Sequence, residues 1–459
     1  MRFHQVIVLL MTILSAVMTA AVLLEGPAAV TSDAQRYWQL GESVATGDWL
    51  LRSHPIAYRT PGYPWFIAIC QVLAGSHSLA MIVVLQGAMH VMLVPIGSWI
   101  AARLAGEGRS ERAAMAAAVL TAVGISRLYF ARAVLSESPF LFVMMLHVAC
   151  IAGLATSRAK MRWACAAGWL LGATVLVRPV GQWLWLAHLF LWIPVLWQTS
   201  EHGARRLDRR LLKSLVAMAV IAVLVISPWW ARNVEMFGRL FITEFVGRNV
   251  WIVTFQDQAG AGLPLPATVE AQRLRRTVEA FKPEADLTNT WDVSEGLTDS
   301  GIADDQADRL MKTVAAQAAE RGLGRWAERF GRRLVNFFRC VSDEPPRFTT
   351  LEDLPRDQRW WRVPNRFESV LFRMRLSPHL TANMVVSGGL MIAWLTLFFT
   401  HRYRWVALWL AAMIGYFAVV TAAIEIPAYR YRMVIEPLMG IIGGIAVAGV
   451  ISRGLDRQR

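Results

Sequence analysis

The chain has 459 residues, 55% of them hydrophobic and 17% charged. Its mean hydropathy of +0.40 is foreign to a water-covered globular protein and expected where lipid covers much of the surface. The formal net charge is +14, but the basic residues, nearly all arginine, recur singly or in pairs between apolar runs, which fits membrane topology and phosphate binding and argues against nucleic acid.

A membrane span needs about 20 apolar residues. Ten segments reach or approach that length: roughly 6–24, 79–102, 113–130, 138–156, 163–177, 180–198, 212–230, 382–400, 405–424 and 433–451. The first follows Arg2 and His4 and is long enough to be an uncleaved span rather than a signal peptide. The expected fold is therefore all-α and polytopic, with about ten transmembrane helices. With the N-terminus in the cytoplasm, every short inside loop is basic: Arg103 to Arg112, Arg158 to Arg162, Arg205 to Lys213, Arg402 with Arg404, and the tail from Arg453. The positive-inside rule is then satisfied with both termini cytoplasmic.

The outer segments divide the chain into an N-terminal membrane part (1–230), a long outer region (231–381) and a C-terminal membrane part (382–459). In the first outer loop, 25–78, Asp33 to Thr46 has the spacing of a short amphipathic helix. Pro61 to Leu73 is apolar but too short to cross, and is expected along the outer interface, with Tyr63 and Trp65 at headgroup level. Within 231–381, Asp304–Ala319 and Leu323–Phe338 read as amphipathic helices, the second lying on the membrane. Residues 282–302, rich in Asp, Thr, Ser and Gly, read as a loop. The four cysteines, Cys70, Cys150, Cys165 and Cys340, include no CxxC pair, so neither a zinc site nor a disulfide is expected.

Charges beside a span are costly unless used or paired. Six sites on the expected outer side carry them. Asp33, in SDAQRYWQL, is either part of a helix cap with Ser32 and Gln35 or a carboxylate that takes a proton from an acceptor. Arg59, in YRTPGYPWF, either snorkels or binds phosphate. Glu137, in AVLSESPF, either caps a helix and pairs with Arg132 or orients a substrate and the arginines around it. Arg178, before Pro179, has no nearby acid in sequence and needs a spatial partner. Arg232 and Asn233 follow a span in PWWARNVEMFGR; an aromatic belt explains the tryptophans but not Asn233. Arg430, Arg432 and Glu436 crowd EIPAYRYRMVIEP against the topology trend, which points to a substrate partner. Acids and arginines on one side suit an anionic lipid headgroup and a proton acceptor. With no DxD near Asp33 and no histidine pair at ligand spacing, no metal is expected, and arginine would stabilise a phosphate leaving group.

An acid in the first outer loop, DAxxYxxL, RxPGYPxF, an SE before a span, an RP, PWxxRNxxxFG and a terminal YRxxxxP occur in that order. This series resembles the GT-C membrane glycosyltransferases, in the branch of bacterial proteins similar to protein mannosyltransferases and the lipid A aminoarabinose transferase. The resemblance covers roughly 1–250 and 380–451. It implies an inverting transfer of a sugar from a polyprenyl-phosphate donor, with no cofactor, to a glycan, lipid or protein acceptor, at the periplasmic face of the bacterial inner membrane. Asp33 would be the general base. Arg59, Arg178 and Arg232 would hold the lipid phosphate, Arg430 and Arg432 would close the pocket, and Glu137 would support it. Tyr63 would stand on the interfacial helix beside the donor headgroup, and Asn233 on the span edge beside Arg232. Ala34 stands where many relatives carry a second acid, which weakens a metal-dependent version. Two other functions compete: a transporter of a lipid-linked anion, disfavoured because the spans are nearly free of charge, and a non-catalytic assembly protein that only binds anionic lipid.

Overall fold

The computed structural model describes residues 2–30, 33–199, 205–256, 262–338, 378–425 and 429–457. Ser32 and Cys340 lie outside the described residues, so the expected Ser32 cap and the state of that cysteine do too.

The first half of the fold runs α1 (Phe3–Leu23), α2 (Asp33–Ala45), α3 (Gly62–Ala74), α4 (Ser78–Ala105), α5 (Ser110–Ala122), α6 (Glu137–Thr156), α7 (Lys160–Val177), α8 (Leu184–Leu196) and α9 (Arg209–Phe237). Between α8 and α9, strands β1 (Trp197–Thr199) and β2 (Arg205–Leu207) form a small antiparallel hairpin. The second half runs α10 (Val246–Trp251), α11 (Val269–Phe281), α12 (Thr290–Asp299), α13 (Asp304–Arg321), α14 (Leu323–Phe337), α15 (Pro378–Phe399), α16 (Arg404–Ile424), α17 (Tyr429–Arg432) and α18 (Glu436–Arg457). The fold is that of an all-α polytopic membrane protein.

Among the described residues, six helical stretches are long and apolar enough to cross a membrane: Phe3–Leu23, Gly62–Ala105, Glu137–Thr156, Arg209–Phe237, Arg404–Ile424 and Arg430–Ser452. The expected spans at 113–130 and 180–198 form shorter helices, α5 and α8, of 13 residues each. At 1.5 Å per residue such helices reach about 20 Å, short of a hydrocarbon core of about 30 Å. The α5 helix stops at Ala122 and a 3-10 turn over Ile125–Arg132 follows, in which the Arg127 guanidinium donates back to the Thr121 carbonyl at 2.5 Å.

The bundle closes through small residues. On α7, Gly168 and Gly172 are four apart and face α9. A Cβ at Gly168 would stand 2.4 Å from the Met218 carbonyl oxygen, and one at Gly172 would stand 2.6 Å from Val225 Cβ. With little hydrophobic drive between helices in lipid, such close backbone approach supplies the packing. At one end of the bundle, the basic loops meet each other: Arg109 donates to the Tyr403 hydroxyl at 3.2 Å and Arg112 to Ser452 at 3.0 Å. The acidic and arginine-rich motifs lie at the other.

The stretch between α9 and α14 carries its own core, in which Trp251, Phe255, Leu274, Val278, Leu297, Met311 and Val314 are buried together. Helices α13 and α14 follow the expected ranges. The 282–302 reading as a loop is wrong, because α12 lies within it. The Asn289 side chain caps α12 by accepting from the Trp291 and Asp292 amides, and Val293 and Leu297, one turn apart, are both buried. Thr290, Ser294 and Gly296, among the residues that suggested a loop, are buried with them, while Asp299 is exposed.

One glycine positions the site. Gly62 opens α3 where α3 meets the end of α7. A Cβ there would lie 2.6 Å from the Leu176 carbonyl oxygen and 2.7 Å from the Val177 nitrogen. Backbone atoms cannot give way as a side-chain tip can, so the approach requires glycine. It brings the RTPG segment, with Arg59, beside Arg178. Gly62→Ala is expected to lose about 1–3 kcal/mol by overpacking, seen as a lower unfolding temperature of the purified protein; an unchanged transition would mean that α3 and α7 part freely.

Candidate active site

Asp33 is the first residue of α2 and Glu137 the first of α6. Both carboxylates thus stand at helix N-termini, where the macrodipole favours negative charge. Arg59 precedes α3, Arg178 ends α7, and Arg430 sits on the four-residue α17. The five side chains meet. Arg59 Nη2 donates to Asp33 Oδ1 at 2.7 Å, and Arg178 Nη1 lies 2.6 Å from Glu137 Oε1. Arg430 stands between the two acids, its Nη1 3.6 Å from Asp33 Oδ2 and its Nε 3.9 Å from Glu137 Oε1. The result is an alternating chain of charge, Arg59–Asp33–Arg430–Glu137–Arg178. Glu137 pairs with Arg178 rather than with Arg132, which pairs with Glu25 instead.

The two acids differ in access. The Asp33 side chain is 38% exposed and that of Glu137 only 4%, so Asp33 is open to solvent where Glu137 is enclosed by the arginines. Burial pushes the Asp33 carboxyl up, but Arg59 and Arg430 outweigh it and hold the group below the ordinary carboxylate range. Asp33 is therefore ionised at neutral pH.

Aromatic rings fix the arginines. The Arg59 guanidinium lies 4.1 Å from the centre of the Tyr37 ring. Tyr37 shares a 3.2 Å hydrogen bond with Ser136, just before Glu137, and meets Tyr63 edge-on at 4.9 Å. Tyr63 is itself buried. Its hydroxyl donates to Gln86 at 3.1 Å, and the Gln86 amide donates to the Ala131 and Ala133 carbonyls at 2.9 and 2.8 Å. Tyr63 thus supports the turn into α6. Tyr431 lies beneath both Arg430 and Arg178, at 4.7 and 5.7 Å.

Arg232, Asn233 and Arg432 lie apart from this chain. Arg232 is buried and donates to five acceptors: the carbonyls of Leu50 (3.2 Å), Leu51 (2.9 Å), His54 (2.6 Å) and Ile56 (3.1 Å), and Asn233 Oδ1 (2.8 Å). The Asn233 amide donates to the carbonyls of Phe241 and Ile242 at 2.8 and 3.2 Å. These two residues fasten the loops on either side of the end of α9. The fastened loop is strained: Leu51, with φ of 51°, is the one non-glycine residue at positive φ among those described. Arg432 faces inward, its Nη1 3.6 Å from Glu436, which also lies 3.8 Å from the buried Arg127.

Three participants escaped the sequence reading as site residues. Tyr37 and Tyr431 stand in the sequence as the tyrosines of DAxxYxxL and YRxxxxP, with no role attached to either. The third, Glu425, caps the end of α16. Burial pushes its carboxyl above the ordinary range, against the pull of Arg430 and a hydrogen bond from Tyr431. Its signal was present, as the first letter of EIPAYRYR. Among the described residues, no group of three or more His, Cys, Asp or Glu is placed to hold a metal ion.

Residues 63–237 are similar to the family model of the dolichyl-phosphate-mannose-protein mannosyltransferases. This stretch includes Glu137, Arg178 and Arg232 and leaves out Asp33, Arg59 and Arg430. No curated protein sequence matches the chain. The fold is similar to that of an oligosaccharyltransferase from Archaeoglobus fulgidus, solved with a tethered acceptor peptide, at a TM-score of 0.51 and 12% identity, over 97% of this chain and 50% of that one. This chain thus spans about half the length of that protein. A structure of ArnT from Cupriavidus metallidurans bound to undecaprenyl phosphate gives a TM-score of 0.37 and 17% identity, over 97% of this chain and 78% of that one.

Two outcomes follow. Arg59→Gln removes the nearest cation, so the Asp33 pKa should rise. A depressed carboxylate lends its stabilising charge above its pKa and loses it as pH falls through that value; in the variant the loss begins at higher pH. Difference infrared spectra of the carboxylate band, with Asp33→Asn as the assignment control, should show the shift, and an unmoved titration would mean that Arg430 alone sets the value. Separately, Arg232→Met should lower stability by more than about 2 kcal/mol, because buried carbonyls lose their donors. Arg232→Lys should rescue little, since one ammonium cannot span five acceptors; equal stability of the three proteins in an unfolding titration would refute the clamp.

Proposed function

We propose that the chain is an inverting glycosyltransferase of the GT-C type, which moves a sugar from a polyprenyl phosphate to an acceptor at the periplasmic face of the bacterial inner membrane. The observation that carries this reading is a half-open carboxylate, Asp33, set in line with three guanidiniums at one end of an apolar bundle. The family match over 63–237 supports a polyprenyl-phosphate sugar as donor.

In the proposed reaction an acceptor oxygen or nitrogen attacks C1 of the sugar from the face opposite the phosphate. Its proton passes to Asp33. The bond from C1 to the phosphate oxygen breaks, its electron pair goes to that oxygen, and the lipid phosphate departs with inverted configuration at C1. Arg59, Arg178 and Arg430 supply fixed positive charge where the leaving phosphate gains negative charge, so that little reorganisation is needed as the bond breaks. In this reading arginine, rather than a metal ion, carries that load. Glu137 keeps Arg178 and Arg430 aimed, and Arg232 keeps the Arg59 loop in place without touching the donor.

A proton-accepting group is worth about 10²–10⁴ in rate, so Asp33→Asn should cut transfer at least about 100-fold. The check is mass spectrometry of cell-envelope lipids from cells that lack the gene and carry either the native or the Asp33→Asn protein. The variant should accumulate a polyprenyl-phosphate sugar that the native protein consumes. Identical lipid profiles, with both proteins present in the membrane, would sink the mechanism and favour a binding or transport role.

A further inference from the structure

We propose that a groove beside Asp33 is an acceptor subsite for a neutral sugar ring, so that the acceptor is a glycan rather than a peptide; this rests on the transferase reading above. The groove, of about 440 Å³, lies between the loop after α2 and the helices α12 and α13. That volume falls among small-ligand sites, at roughly 300–1,000 Å³. Its lining includes Arg36, Tyr58, Phe237, Trp291, Glu295 and Asp304.

Position comes first. Arg36 is three residues after Asp33 on α2, about 4.5 Å of helix rise. Tyr58 is the neighbour of Arg59, whose guanidinium lies 5.5 Å from its ring. The groove is thus lined by a residue one helical turn along α2 from the proposed base and by the chain neighbour of Arg59.

Chemistry comes second. Trp291 and Tyr58 meet at 5.8 Å between ring centres, with Phe245 tilted beside both. Aromatic rings of this kind pack against the C–H side of a pyranose, which would share the Trp291 ring with Arg36. Arg36 lies 4.2 Å over the Trp291 ring and 3.6 Å from Glu295; it offers donors to sugar hydroxyls, and Glu295, partly exposed, offers acceptors.

Charge selects a neutral occupant. Glu295 is already held by Lys282 at 2.8 Å, and Asp304 accepts from Arg248 at 2.5 Å and from the Ala57 amide at 2.6 Å. The groove has no unopposed charge that calls for an ion. Next to Tyr58, beside the groove, the backbone offers a peptide no free edge at one residue. The Ala57 amide is bonded to Asp304, and its carbonyl accepts from the Glu244 amide at 2.9 Å. An extended chain that adds along a free backbone edge finds that edge engaged at Ala57.

The test uses the full-length protein in lipid nanodiscs and saturation-transfer NMR. The probes are the methyl glycosides of glucose, mannose and N-acetylglucosamine, with a Ser/Thr-containing octapeptide in parallel. At least one glycoside should receive saturation through its ring C–H protons. Trp291→Ala should weaken that binding tenfold or more, and Trp291→Phe should keep most of it. The Phe variant separates loss of the aromatic plate from loss of fold. Absence of glycoside binding to the native protein, or equal binding to Trp291→Ala, would overturn the subsite. So would peptide binding that alone depends on Trp291. The two readings fail separately: an active Asp33→Asn protein, with Trp291-dependent sugar binding by the native protein, refutes the transferase and keeps the subsite, while an inactive one, with no sugar binding by the native protein, does the reverse.

Discussion

The structure turns on one constraint: a charge at the edge of an apolar bundle must find its opposite. Asp33, Arg59, Glu137, Arg178 and Arg430 each stand at the start or end of a helix or just beside one, where the chain leaves apolar surroundings. None has an opposite charge next to it in sequence. They satisfy one another in space, cation and anion in alternation, and the helices are held so that they can. The Gly62 contact sets α3 against α7, and the Tyr37–Ser136 hydrogen bond sets α2 against α6. Arg232 fixes the strained loop between α2 and α3. Each of these contacts is local and small, and each aligns one member of the charged chain.

Much of this was legible. Long apolar runs marked the helices because lipid demands them, and each motif that supplied a charge was visible because charge is rare in such a chain. The requirement that Arg178 find a distant acid was legible as well, since a buried guanidinium beside a helix end cannot remain alone. The identity of that acid was not, because pairing depends on how helices pack. Arg59 and Arg232 show the limit well. Both follow or precede a tryptophan- or proline-rich segment and read alike, yet one faces carboxylate and the other faces five acceptors of which four are backbone carbonyls. Sequence shows side-chain partners far better than backbone ones.

Length and composition misled in two places. The short helices α5 and α8 read as full spans because apolar residues run on past their ends into 3-10 turns or strands. Helix α12 read as a loop because Asp, Thr, Ser and Gly dominate its composition, while the Asn289 cap and the buried Val293 and Leu297 decide its fold. In both cases a local capping or stopping device outweighed the average character of the segment.

The three guanidiniums are not held alike. Arg59 and Arg178 touch their carboxylates at hydrogen-bond distance, at 2.7 and 2.6 Å, whereas Arg430 stands 3.6 and 3.9 Å from its two acids. Its close bond, at 2.5 Å, is to the neighbouring Tyr431 hydroxyl. Arg430 can thus swing toward a newcomer without breaking a direct bond to either acid, while the other two stay as fixed posts. On the transferase reading this makes the site a turnstile rather than a trap: the departing phosphate is gripped in part by an arm that two resting carboxylates draw back.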